Sequence, residues 1–208
     1  MEHIDLKSHP KCDMIIEAAF DEFGEQGYKH ASTNRIIERA GISKGLLFYY
    51  FKTKEELFVY LVEHSIEFFR ENYIDRLENP EPDFIKRCIK LSETKRDAVL
   101  KNPHVFKFLR IYFSEDKDVL PEKFSSQIAE ALSKFNLYLY SEIDTSQFRR
   151  DIPEKTVTNL IKWGIEGYER DLTERLKGIP FERIIKEDKS YWLEYYEFLD
   201  NVKKIFYR

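Results

Sequence analysis

The sequence predicts an all-α fold of about nine helices, and three observations carry that expectation. Helix breakers are scarce: 7 Gly and 7 Pro stand among 208 residues otherwise rich in Leu, Ile, Glu and Lys, so long stretches run uninterrupted. Within those stretches apolar residues return at three- and four-residue spacing, the period of one helical face. Capping residues bracket them, Ser, Thr or Asp at the starts and Gly or Asn-Pro at the ends. No stretch alternates as a half-buried strand does. Hydrophobic residues at 42% supply a core, and charged residues at 35% a well-solvated surface. The expected organisation is a small N-terminal three-helix domain over residues 1–53 and a larger helical domain over 54–208.

Pro10 fits the first turn of a helix capped by Ser8 or His9. Ile16, Ala19, Phe20 and Phe23 follow as one apolar face, and Gly27 suits the stop. Ser32 and Thr33 offer an N-cap to a second, short helix carrying Ile36, Ile37 and Ala40, which Gly41 ends. Ser43 caps a third helix with Leu47 and Phe51 on its inner face. Thr53-Lys54-Glu55-Glu56 is a capping box, Thr followed three residues later by Glu. It opens a long fourth helix through Leu57, Leu61, Phe68 and Leu77 that stops before Asn79-Pro80. Asp83 to Lys101 reads as a helix ended by Asn102-Pro103, and His104 to Phe113 as a shorter one. Pro121 opens another that reaches about Ser141, and Asp144-Thr145-Ser146 is loop-like. Pro153 starts a helix through Trp163 and Tyr168 to Leu176, Gly178-Ile179-Pro180 breaks it, and a last helix runs from Lys189 to Tyr207.

Net charge is −4, which argues against a general nucleic-acid coat protein, but its distribution is uneven. Between residues 28 and 54 lie Lys29, Arg35, Arg39, Lys44, Lys52 and Lys54 against the single acid Glu38, so that segment is +5 and the rest −9. A local basic patch on an acidic protein suits a polyanion docked at one end. Cys12 and Cys88 are far apart and form neither a disulfide framework nor a zinc knuckle. The N-terminus has no apolar stretch of the signal-peptide kind, and no apolar run is long enough for a membrane span. A soluble cytoplasmic protein without membrane contact is expected.

The segment that carries function is TNRIIERAGISKGLLFYYFKTK, Thr33 to Lys54. Two short helices joined by Ala40-Gly41-Ile42-Ser43, with Gly in the left-handed region, meet at a steep angle in a helix-turn-helix. Ile36, Ile37, Ile42, Leu47 and Phe51 point inward and fix that angle. Lys44, Gly45, Leu46, Tyr49 and Tyr50 are left on the outer face and N-terminal end of the second helix, the positions that enter a major groove. Gly45 removes a side chain where backbone presses on DNA, and the two tyrosines offer rings to thymine methyls and hydroxyls to phosphates or base edges. Thr33 and Lys54 sit at helix N-termini, which favour phosphate, and Lys52 adds a further contact.

Taken together, these residues resemble the TetR family of bacterial regulators. The matching stretches are Ala18-Ala19, Phe23 to Tyr28, Thr33, Ile36, Ala40 to Gly45 and Leu47 to Leu57. They run without a gap through the N-terminal quarter; beyond it only the helix count and the Pro153–Leu176 helix are similar. Leu46 stands where small polar residues are common in the family and Phe48 where Tyr is common, and both reduce hydrogen bonding. The resemblance implies an all-helical homodimer, a double-stranded operator as partner, a small-molecule effector held in the C-terminal domain, and release of DNA when the effector binds. The function expected is thus a repressor released by a small, largely apolar ligand.

Aromatic residues of the C-terminal region, Phe106, Tyr112, Phe113, Trp163 and Tyr168, are the candidates to line that pocket. Ile161, Gly164 and Ile165 of one helix, with Tyr195, Leu199 and Val202 of the last, are the candidates for a dimer interface. His64 and His104 lack partners at metal-ligand spacing, and His3, His9 and Cys12 crowd the N-terminus without forming a set. No metal and no cofactor is expected. An activator, or a regulator that senses a protein partner, remains a rival reading. An enzyme carrying such a module would need a polar catalytic cluster; none stands out, and no catalytic residue is expected.

Overall fold

The computed structural model describes residues 11–114 and 124–208, the side chains of 110–114 and 188 excepted. Among the described residues ten α-helices follow one another: α1 Cys12–His30, α2 Thr33–Ala40, α3 Lys44–Tyr50, α4 Lys54–Asn72, α5 Phe84–Lys101, α6 Pro103–Ser114, α7 Ser125–Tyr140, α8 Glu154–Arg175, α9 Phe181–Lys186 and α10 Asp188–Phe206. A 3₁₀ turn, Ile74–Arg76, lies between α4 and α5. Among the described residues there is no strand, only an isolated bridge between Phe148 and Tyr207. The fold is all-α.

Four local readings change. In α1 the buried face is Ile15, Ala18, Ala19, Phe20 and Phe23, with Ile16 at its edge. Gly27 breaks α1 at φ 67° as a kink, and a last turn continues to His30. α4 stops at Asn72 rather than running to Leu77. There the Asn72 amide donates back to Phe68 O at 2.9 Å, and Tyr73 leaves the helical region at φ −130°. Last, α9 occupies a segment expected to be a break: Pro180 sets its first turn, and six residues are too few to display a period. The expected helix starts at Ser8–Pro10 and Pro121, like His3 and His9, lie outside the described residues.

The chain divides into two compact units, residues 1–76 with 94–135 and residues 77–93 with 136–208. The first has one core. Ile15, Ala19, Phe20 and Phe23 of α1 pack with Ile36, Leu47, Phe51, Leu57, Phe58 and Leu61, and Val105 and Phe108 of α6 join the same cluster. Its rings meet edge to face: Phe20 and Phe108 centroids are 5.4 Å apart, Phe23 and Phe58 5.2 Å. Gly24 lets α6 close in, since a Cβ there would lie 3.1 Å from Lys107 Cγ and 3.4 Å from the Phe108 amide.

In the second unit Val157, Ile161 and Ile165 of α8 are buried, as are Tyr195, Leu199 and Val202 of α10. Tyr168 stacks on Phe198 at 4.7 Å. Arg87, wholly buried, donates to the carbonyls of Tyr138, Leu139 and Glu142 at 2.9, 3.2 and 3.2 Å. A guanidinium thus satisfies the open carbonyl end of α7, where a cation suits the helix dipole.

Candidate nucleic-acid interface

The turn between α2 and α3 is built as its residues require. Gly41 takes φ 59°, ψ 37°, a conformation that costs a side-chain-bearing residue about 1–2 kcal/mol. Its amide donates to Glu38 O at 3.2 Å, and the Ile42 amide to Ile37 O at 3.2 Å. Ser43 then caps α3, its Oγ accepting from the Leu46 amide at 3.2 Å. Ile36, Ile42, Leu47 and Phe51 are buried and hold both helices on the core, with Ile37 at the margin.

What α3 turns outward is Lys44, Gly45 and Tyr49, the last 67% exposed. Leu46 and Tyr50 are half-buried, packed by one edge on the core, and the Tyr49 and Tyr50 rings meet edge to face at 5.2 Å. A Cβ on Gly45 would meet nothing within 4 Å. Glycine in a helix costs about 0.5–1 kcal/mol relative to alanine, and nothing in the chain's own packing calls for it at this position.

The flanks are more tightly tied than the sequence suggests. Thr33 is the first residue of α2 and half-buried; Ser32 precedes it as N-cap, and the Ser32 amide donates to Glu22 Oε1 at 2.8 Å. Thr53 Oγ1 accepts from the Glu56 amide at 3.0 Å, and Glu56 reaches back to the amide of exposed Lys52 at 2.8 Å. The box therefore closes one residue earlier than its usual form. Lys54 is the first residue of α4, but its ammonium donates to Ala31 O at 2.9 Å and lies 4.7 Å from the Tyr28 ring centre. Burial holds that ammonium below the ordinary lysine pKa. Its charge serves the end of α1 as well as any phosphate.

The carboxylates of α1 escape sequence reading. Glu22 is fully buried, accepts from Arg35 Nε at 2.8 Å, and stands 4.0 Å from the Arg39 guanidinium. Glu25 accepts from Arg39 at 2.6 Å and from Lys107 of α6 at 2.9 Å, and Asp21 meets His104 Nδ1 at 2.9 Å. The Arg39 hydrogen bond, outweighing burial and aided by Lys107, holds the Glu25 carboxyl below its usual range. Arg35 and Arg39, expected as part of an open basic patch, are thus partly spent inside the protein. Arg35 and Arg39 stay exposed at one edge while ion-paired, and Lys29, Lys44 and Lys52 are further exposed cations of that segment. The only hint in sequence was Arg35 and Arg39 one helical turn apart, facing acids on a neighbouring helix.

The sequence profile described as "Bacterial regulatory proteins, tetR family" matches residues 15–61, which include the whole of α2 and α3. Over that segment the chain is similar to the TetR family. Its likeness to a TetR family transcriptional regulator from Chloroflexus aurantiacus J-10-FL covers 98% of this chain and 97% of that one, with TM-score 0.63 and 21% identity, a likeness of fold. The "Fatty acid metabolism regulator protein" of Bacillus subtilis is 29% identical over 100 residues, 47% of this chain, and the match spans half (50%) of that relative's length. The "HTH-type transcriptional repressor AcnR" of Corynebacterium glutamicum is 26% identical over 164 residues, 74% of this chain and 77% of that protein.

Elsewhere in the chain the expected residues fall as follows. Phe106 is half-buried in the first unit, its ring 6.4 and 6.3 Å from Phe68 and Phe69 of α4. The side chains of Tyr112 and Phe113 lie outside the described residues. Tyr168 is half-buried in the second unit, and Trp163, expected in a pocket, is 60% exposed on α8. Of the interface candidates, Ile161, Ile165, Tyr195, Leu199 and Val202 are buried in their own protomer, and Gly164 faces Phe198, 3.8 Å from where a Cβ would sit. α8 carries two apolar stripes, and the one left outward is Leu160 and Trp163, with Leu193 exposed on α10. Among the described residues no group of three metal-ligating side chains comes together, and no helix is long and apolar enough to cross a membrane.

Proposed function

We propose that this chain is a homodimeric transcriptional regulator that binds a double-stranded operator through α3 and leaves it when a small, largely apolar ligand binds. Residues 1–53 bind DNA; residues 54–208 hold the ligand and the second protomer. The observation that carries the reading is the outward face of α3: Lys44, unpacked Gly45 and exposed Tyr49 on a short helix whose opposite side, Leu47, is buried. Such a face has the size and charge to enter a major groove. Thr33, Lys52 and Lys54 flank it as phosphate contacts, with Leu46 and Tyr50 at its edge. Two half-sites need two protomers, and the outer stripe of α8, with Leu160 and Trp163, is the surface that meets the partner. The name of the Bacillus subtilis relative supports an apolar, acyl-type effector, and that of the Corynebacterium glutamicum relative supports repression. Within the second unit, half-buried Tyr168 is the residue that lines the ligand site. Incubating the protein with fatty acids and their coenzyme A esters tests the release step. Dissociation of bound DNA by one of them at micromolar concentration is expected; DNA binding indifferent to the whole series would overturn it.

A further inference from the structure

The side chains that α3 can bring to base edges are unusually poor in hydrogen-bonding groups. The helix reads Lys44-Gly45-Leu46-Leu47-Phe48-Tyr49-Tyr50. It contains no Asn or Gln to pair with adenine, no Asp or Glu to accept from cytosine and no Arg to fork onto guanine. Leu47 is buried and Phe48 half-buried with the Lys44 ammonium 5.8 Å over its ring. Tyr49 lies one turn beyond both Gly45 and Leu46, so the three share one side of the helix. That face therefore presents bare backbone, a half-exposed isobutyl group and a phenol ring 67% exposed and propped edge-on by Tyr50. The exposed cations Lys44 and Lys52 stand at either end of it. Positive charge is confined to the two ends, and the middle is apolar.

In the major groove one base carries an apolar handle, the C5-methyl of thymine. We propose that α3 recognises its operator chiefly through thymine methyl groups, with Leu46 and the Tyr49 ring as specificity-determining residues and Lys44 donating to the acceptor edge of one guanine. The absent Cβ of Gly45 lets the backbone approach close enough for the short Leu46 side chain to reach a methyl. The half-site is then rich in thymine, interrupted by one guanine, and its recognition survives changes that leave methyls in place. This rests on the reading of α3 as a DNA-contacting helix.

The test uses the full-length protein and duplexes selected by it from a random pool. Each thymine of the selected half-site is replaced in turn by deoxyuridine, which removes the methyl and leaves every hydrogen-bonding group. At two or more positions per half-site affinity should fall about fourfold, the worth of one buried carbon at about 0.8 kcal/mol. Tyr49→Ala should erase the difference between thymine and deoxyuridine at one of those positions, and Leu46→Ala at another. Because the deoxyuridine series is read on the unmodified protein, a poorly folding variant does not decide the matter. Selected duplexes bound equally well with thymine or deoxyuridine throughout would overturn methyl reading while leaving DNA binding intact. Failure to select any duplex would overturn both this proposal and the function it deepens.

Discussion

At Tyr49 the ring is largely exposed while Leu47, two residues earlier, is buried, so removing it should be felt by DNA and not by the fold. Tyr49→Ala is expected to weaken specific binding by about 1–3 kcal/mol with the melting temperature unchanged. A loss of many degrees would place the ring in the core instead. Gly45→Ala separates the two roles from the other side. With open space around the new Cβ, it should raise stability by about 0.5–1 kcal/mol in urea denaturation yet weaken DNA binding; unaltered binding would take the α3 backbone out of the groove. Lys52→Ala should lower the slope of binding against salt by about 1. Lys54→Ala is a less direct probe of phosphate contact, because the same ammonium closes on Ala31 O. The sequence showed Lys54 at a helix N-terminus but not that tether, since the bond joins residues 23 apart. For the same reason Glu22 was unreadable: in sequence it is one acid among many on a solvated helix.

Helices, by contrast, were legible where a cap marks them. Ser43, Thr53 and Gly41 each sit at the boundary their chemistry dictates, and the capping hydrogen bonds are formed. α9 was illegible because it is one and a half turns long, and the phase of α8 because both its stripes, Val157–Ile161–Ile165 and Leu160–Trp163, are apolar. Only burial in the folded protein decides which one turns inward. Between elements, the Asp21, Glu25, Arg39, Lys107 and His104 network ties α1 and α2 to α6. Glu25 has its pKa lowered in the fold. A depressed carboxyl pKa contributes stability above the unfolded glutamate range and loses it as pH falls through the folded value. Urea unfolding from about pH 7 to about pH 3 should therefore show a decline below the ordinary glutamate range that is shallower in Glu25→Gln. Identical pH profiles would remove Glu25 from the network's energetics.

For the whole molecule the proposed dimer makes the outer stripe of α8 the surface to test. Ile161→Glu puts a charge into a protomer core and should abolish folding, as an unpaired buried charge does. Leu160→Glu with Trp163→Glu places charges on the outer stripe and should leave helical content intact while sedimentation shows monomers. If that double variant remains a dimer, the partner surface lies elsewhere. On the proposed pairing, one α3 reads only a few base pairs, and selectivity would come from two of them set about 34–36 Å apart. The most direct measurement is sequencing of duplexes retained by the full-length protein from a random pool. Enrichment of a two-fold symmetric, thymine-rich motif, its half-sites about one helical turn apart, is expected. Retention without any enriched motif, or of a single unpaired half-site, would contradict a dimer that reads DNA through α3.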